Sequence, residues 1–173
     1  MNYLSFSIFD LDDDDFDPSD LRKHTDTIEN ICEMFSTDVE KGLTTEQAAI
    51  NRKKSGKNIY NKYFEVFHYT KCKRDGEFKG VLTRRLTLGD IVSLKAPQVV
   101  PADIRVIEAS ADCTVDKCQL TGYGEPAPVS PAKTNDNPMQ TDNIIFAMTR
   151  LMTGTCTGIV MNVGAKTVRG FMS

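Results

Sequence analysis

Thr121, Tyr123 and Glu125 alternate with Gly122 and Gly124 in one short stretch that Pro126 closes. Glycines on both sides of Tyr123 make a tight turn easy, so the stretch offers a hydroxyl, a phenol and a carboxylate on a loop. A carboxylate can orient a water and take its proton as the water attacks. A phenol with a pKa of about 10 is a poor base at neutral pH. Glu125 is therefore the one group of the three suited to base chemistry, and the competing reading of the whole stretch is a plain turn.

Other residues capable of chemistry are scattered. The cysteines, Cys32, Cys72, Cys113, Cys118 and Cys156, have no C-x-x-C spacing of the zinc-binding kind. Asp112, Cys113, Asp116 and Cys118 could be drawn as a metal cluster, but alternation along a strand accounts for them better. An acidic leader holds Asp12 to Asp15 and Asp17 without the central glycine of a calcium loop. No cofactor-binding residue and no metal ligand is assigned. A net charge of −3 argues against a nucleic-acid partner. No run approaches the roughly 20 apolar residues of a membrane-spanning helix. Without the basic-then-apolar order of a secretory signal, reduced thiols in the cytosol are expected.

The positioning elements divide the chain into four. Residues 1–19 form the acidic, flexible leader. Residues 20–60 carry a short helical hairpin. Ile28, Ile31, Cys32 and Phe35 recur at three- and four-residue steps, and Thr44 with Gln47 has capping-box spacing before a helix that Gly56 ends. Such a hairpin is too small to be stable unless it packs on something. Residues 61–72 read as a linker within an aromatic run of Tyr60, Tyr63, Phe64, Phe67 and Tyr69, packing on the next domain. Residues 73–173 read as strands and turns, with Asp75-Gly76 as a hairpin turn and Asn135-Asp136-Asn137-Pro138 as a second strong turn. Alternation at Ile91, Val92 and Leu94, and again at Ile104, Val106 and Ile107, predicts short strands of a sandwich or jelly-roll. The fold class is α+β.

The order of these motifs resembles the sodium/potassium and proton/potassium branch of the P-type cation-transporting ATPases. Asp38, Lys41-Gly42-Leu43-Thr44 and Ala48-Ala49 are similar to that family's N-terminal segment. Arg74-Asp75-Gly76-Glu77, Leu88-Gly89-Asp90-Ile91-Val92 and Val100-Pro101-Ala102-Asp103-Ile104-Arg105 look like the first strands of its actuator domain. Val115-Asp116 leads into Leu120-Thr121-Gly122 as in its catalytic loop, and Ser130-Pro131, Thr134 to Pro138, Thr141, Asn143-Ile144, Gly154-Thr155 and Gly158-Ile159-Val160 continue the pattern. The resemblance implies a β-rich, jelly-roll-like actuator domain after the helical hairpin.

The departures carry as much as the matches. The family's loop reads Leu-Thr-Gly-Glu-Ser-Glu-Pro, and its first glutamate directs water onto an aspartyl-phosphate. Tyr123 and Gly124 stand at the glutamate and serine positions. Glu125 corresponds to the family's second glutamate and lies two residues, about 6 Å of extended chain, from the catalytic position. The loop Thr121, Gly122, Tyr123, Gly124, Glu125, Pro126 is accordingly read as degenerate, with no catalytic residue. The family's Asp-Lys-Thr-Gly-Thr phosphoacceptor motif does not occur, and Asp116-Lys117 falls in the actuator pattern instead. No nucleotide-binding domain and no transmembrane hairpin are recognisable, and Ala96-Pro97-Gln98-Val99 replaces a charged Gly-Gly-Asp-Arg-like turn.

These features predict a truncated, non-catalytic module acting on a complete pump alpha subunit or its phosphorylation domain. It would be cytoplasmic and held at the plasma membrane through that pump. The alternatives are a piece of a full-length, membrane-integral pump and a non-functional relic.

Overall fold

An eight-residue apolar stripe cannot hold a helix by itself, and the computed structural model, which describes residues 23–60, 68–122 and 124–171, shows what it rests on. Helix α1 (Ile28–Phe35) begins at Thr27, whose hydroxyl accepts from the Asn30 amide, and ends at Ser36 in the left-handed conformation. Ile31 and Phe35 are buried with Ile91, Ile159 and Met161, which belong to a sheet in the second half of the chain. Helix α2 (Thr45–Ser55) has the cap its sequence requires, with Thr44 Oγ1 accepting from the Gln47 amide at 3.1 Å and Gly56 stopping it. Its inner face is not an apolar stripe. Ala48 and Asn51 are buried while Ile50 is exposed. The Asn51 amide donates to the carbonyls of Phe35 and Leu88, both at 2.9 Å, and so ties the two helices to each other and to the sheet.

Ten strands follow among the described residues: β1 (Tyr69–Arg74), β2 (Glu77–Leu82), β3 (Ile91–Lys95), β4 (Gln98–Val99), β5 (Asp103–Ala109), β6 (Thr114–Asp116), β7 (Ala127–Pro128), β8 (Ile144–Ile145), β9 (Arg150–Thr153) and β10 (Thr155–Asn162). They form a six-stranded sheet in the order β2-β1-β3-β10-β5-β8 and a four-stranded sheet in the order β4-β9-β6-β7, each paired antiparallel. One apolar core joins the two sheets. Val92, Leu94, Ile104, Val106 and Val160 come from the larger, and Val115 and Leu151 from the smaller. The architecture is the α+β, β-rich, jelly-roll-like arrangement the sequence predicts. Helix α3 (Cys118–Thr121) follows β6 and helix α4 (Val168–Phe171) follows β10.

The linker expected over residues 61–72 is corrected at its end, because β1 already starts at Tyr69. Thr70 and Cys72 point into the core while Tyr69 and Lys71 are exposed. A strand whose inward positions are threonine and cysteine gives little hydrophobic signal, so its alternation is hidden among lysines. Tyr63, Phe64 and Phe67 of the aromatic run, and the acidic leader, lie outside the described residues. Tyr60 packs as expected, donating its hydroxyl to the Pro101 carbonyl at 2.8 Å. Beside it the Asn58 side chain donates to the same carbonyl and accepts from the Gly164 amide.

The hairpin turn between β1 and β2 has Asp75 at φ 54° and Gly76 at φ 82°, the left-handed pair that matches strand twist. Asp75 also reaches out of the turn, where its carboxylate accepts from the Thr45 amide at 2.8 Å and the Thr45 hydroxyl at 2.7 Å. These bonds and the neighbouring Lys79 ammonium hold its carboxyl down at about 2. Arg74, one residue earlier, binds Asp90 through two parallel hydrogen bonds of 2.7 and 2.6 Å, and Asp90 is fully buried. Two of the sequence motifs, Arg74-Asp75-Gly76-Glu77 and Leu88-Gly89-Asp90, are thus one physical unit.

Candidate functional site

The loop begins where β6 runs out. Asp116 Oδ1 accepts from the Cys118 amide at 2.8 Å, which starts α3. The Lys117 carbonyl then accepts three hydrogen bonds, from the Leu120 and Thr121 amides and from the Thr121 hydroxyl. Gly122, at φ 74° and ψ −5°, ends the helix with its amide on the Cys118 carbonyl. A left-handed residue after a single helical turn throws the chain outwards, and Gly122, Gly124, Glu125 and Pro126 are all exposed. Tyr123 lies outside the described residues. The chain re-enters the smaller sheet at β7, which pairs Ala127 with Val115. Of the stretch singled out in the sequence, Thr121 is thus fixed by its bonds to the Lys117 carbonyl, Gly122 is left-handed, and Glu125 is exposed.

What holds the loop from below is Lys117, which is 5% exposed. Its ammonium donates to the Thr141 carbonyl at 3.1 Å and lies 5.7 Å from the centre of the Phe146 ring. Burial pushes its pKa down to about 8, with Asp142 pulling the other way. Leu120 adds an apolar contact with the Ile144, Phe146 and Val168 cluster. Lys117 is thus a strut between the loop and the second turn that the sequence singled out.

That second turn closes by side-chain to backbone bonds. Asn135 Oδ1 accepts from the Asn137 amide, and Asn137 Oδ1 accepts from the Met139 amide. Thr134 closes it against Thr141 and Asp142, its amide donating to Thr141 Oγ1 and its Oγ1 accepting from the Asp142 amide. The Thr141 hydroxyl donates to Asn143 Oδ1 at 2.8 Å, and the Asn143 amide donates to the His24 carbonyl at 2.9 Å. His24 Nε2 returns to the Asp136 carbonyl, also at 2.9 Å. A chain of contacts so runs from the loop through Lys117 and Asn143 to the N-terminal segment. Lys117 was visible in the sequence only beside Asp116, and His24 not at all. A lysine between Val115 and Leu120, both apolar, was the one available signal.

The other candidate residues are not brought together. Cys113 is buried against Cys156, whereas Cys118 is exposed on α3. Among the described residues no group of three or more histidine, cysteine or acidic side chains is placed to hold a metal. Among them, too, no helix is long and apolar enough to cross a membrane.

The family model of the P-type ATPase actuator domain matches residues 66–172, and that of the cation transporter/ATPase N-terminus matches residues 23–66. The chain is 44% identical over 100 residues to the potassium-transporting ATPase alpha chain 2 of Homo sapiens, an alignment covering 58% of this chain and 10% of that protein. It is 44% identical over 97 residues to the sodium/potassium-transporting ATPase subunit alpha-1 of Catostomus commersonii, covering 56% and 9%. Against the alpha-B subunit of Artemia franciscana the identity is 44% over 105 residues, covering 61% and 10%. The chain thus spans about a tenth of the length of these relatives.

Proposed function

The chain belongs to the family of P-type ATPase actuator domains, and we propose that it serves as a non-catalytic actuator module docking on the phosphorylation domain of a complete cation pump. The observation that carries this reading is a supported loop without its base. Thr121 and Gly122 are pinned over a buried lysine and projected outwards, yet the sequence places Tyr123 where the family's resemblance calls for a glutamate. A surface kept in shape while its reactive carboxylate is absent fits binding better than turnover. Glu125 does not substitute, because it stands at a position the family fills separately. On this reading the module is cytoplasmic and reaches the plasma membrane through its pump.

The test is a binding measurement between the purified chain and a recombinant phosphorylation domain of a sodium/potassium-type pump. Saturable binding that weakens on Thr121→Ala and Gly122→Val substitution is expected. Absence of binding to any pump headpiece would overturn the reading.

The relatives' length favours a second reading, in which the chain works inside a longer pump polypeptide. A far larger membrane-bound band, detected in cell fractions with an antibody to residues 73–173, would establish it. A soluble band near 19.3 kDa would instead support the free module.

A further inference from the structure

Cys113 and Cys156 come from the two sheets and meet in the core between them. Cys113 stands just ahead of β6 in the smaller sheet, and Cys156 lies near the start of β10 in the larger. Both are buried in the same apolar cluster. Their thiols are in hydrogen-bond contact, with the Cys156 thiol donating to the Cys113 sulfur. The backbone on either side clamps them together. The Ser110 amide donates to the Thr155 carbonyl and the Thr155 amide to Ser110 Oγ, both at 2.9 Å. Further along, the Thr153 hydroxyl donates to the Asp112 carbonyl, and the Thr114 and Thr153 hydroxyls meet at 2.7 Å. Between these ties the chains run so close that a Cβ on Gly154 would lie 2.7 Å from Cys113 Cα, nearer than side chains tolerate. A depression of about 200 Å³, lined by Glu108, Ser110, Thr155, Cys156 and Thr157, brings solvent up to this corner of the core.

We propose that Cys113 and Cys156 form an oxidisable dithiol, which a hydroperoxide converts into a disulfide that staples the smaller sheet to the larger. Sulfurs already in contact and held by paired backbone need only side-chain closure to reach bonding distance. The Cys113 sulfur, as its thiolate, attacks one peroxide oxygen, and the O–O bond breaks. Cys113 is left as a sulfenic acid, and the departing oxygen takes up the thiol proton. With hydrogen peroxide that product is water. The Cys156 sulfur then attacks the sulfenic sulfur, the S–O bond breaks, and the hydroxyl leaves with the Cys156 proton as water. Two thiols lose two electrons, and the peroxide gains them. The order follows from the contact. Burial raises both thiols, but donation from Cys156 pulls Cys113 back down, whereas Cys156 is pushed up to about 12. Because the thiolate is the nucleophile, a buried pair reacts slowly and registers sustained oxidation and not a brief pulse. The staple would close a loop holding all of residues 114–155, and with it α3, Gly122, Glu125 and the Thr134 to Pro138 turn. Oxidation would thus stiffen the scaffold that carries the exposed loop.

The experiment is prolonged incubation of the full, folded chain with hydrogen peroxide, followed by alkylation in urea and non-reducing peptide mass spectrometry. The expected product has lost two hydrogen atoms and joins the Cys113 peptide to the Cys156 peptide, at a yield that does not change on dilution. Dithiothreitol is expected to return both thiols. The oxidised chain is expected to unfold at a higher urea midpoint than the reduced one. Its unfolding equilibrium should fall on the order of 10³-fold, the chain-entropy value for a loop of this length. That comparison uses the unaltered chain and depends on no variant folding. Cys113→Ala and Cys156→Ala are each expected to abolish both the link and the midpoint shift. The proposal is overturned if Cys113 and Cys156 are still alkylated after the peroxide, or carry added oxygen without a link. A yield that rises with protein concentration, or links made mainly through the exposed Cys118, would also overturn it. An oxidised form with an unchanged or lower midpoint would show that the bond does not staple the native sheets.

Discussion

Asn143 and His24, separated by 119 residues, are joined by a buried hydrogen bond from the Asn143 amide to the His24 carbonyl. Asn143 is fully buried and also accepts from the Thr141 hydroxyl, so both ends of its side chain are engaged. Replacing it with alanine strands a carbonyl and a hydroxyl at once. The expected loss is about 1–3 kcal/mol of unfolding free energy, seen as a lower urea midpoint at unchanged slope. A midpoint that does not move would show that the N-terminal segment is not anchored there.

Arg74 and Asp90 tie the end of β1 to the residue before β3. Thr87 also donates its amide to Asp90, at 2.9 Å, so the carboxylate is held in place even when its cation is removed. Arg74→Met is expected to cost about 3–5 kcal/mol, because it leaves a buried charge without its partner. The double variant Arg74→Met/Asp90→Asn is expected to cost less than the sum of the single changes. Additivity in that double-mutant cycle would argue against a direct interaction.

Asp103 gives the domain a pH signature. It is buried, accepts from the Ala147 and Val168 amides at 2.9 Å, and still has its pKa pushed up to about 6 because desolvation outweighs those bonds. The folded value lies above the unfolded one of about 3.9. The folded state therefore binds this proton more tightly, and its contribution is fully present below about pH 4 and lost as pH rises through about 6. Denaturation at stepped pH is expected to show the parent losing stability relative to Asp103→Asn across that window. Parallel profiles would contradict the assignment.

Gly42 decides whether the helical segment can dock. It sits at φ 70°, and a Cβ there would run into the Lys73 carbonyl on β1. Gly42→Ala is expected to cost more than the roughly 1–2 kcal/mol of a left-handed backbone alone. Amide exchange should speed up in β1 and in the first turn of α2, leaving the smaller sheet protected. Unchanged exchange in β1 would refute this docking geometry.

Tyr123 is tested by restoring the carboxylate. In a chimeric pump whose actuator domain is replaced by residues 66–172, the phosphoenzyme is expected to accumulate. Tyr123→Glu is expected to speed its breakdown by about 10²–10⁴-fold, the contribution of a well-placed general base. Equal breakdown rates for the two chimeras would mean that the position is not the base.

Much of the local structure was legible in the sequence because its signals are local. Thr44 capping Gln47, Gly56 ending α2, the Asp75-Gly76 turn and the Gly122 exit each involve atoms within a few residues of one another. Residue type alone nearly dictates their geometry. The ordered motifs located the actuator pattern and, within it, the loop around Tyr123.

Other assignments needed the folded chain. Asn51 looks like an ordinary polar residue in a weakly amphipathic helix, and only packing turns it inwards to bridge Phe35 and Leu88. Strand β1 is hidden because threonine and cysteine occupy its inward positions. Lys117 becomes a strut under the loop only when Thr141 and Phe146 arrive from the other side. What the sequence determined by itself was the set of caps, turns and motifs that cost nothing beyond neighbouring backbone. The tertiary structure decided which polar groups were buried and which partner, up to 119 residues away, satisfied each one. A buried donor or acceptor must find a partner, and which one is in reach depends on how the two sheets and the helices close around it.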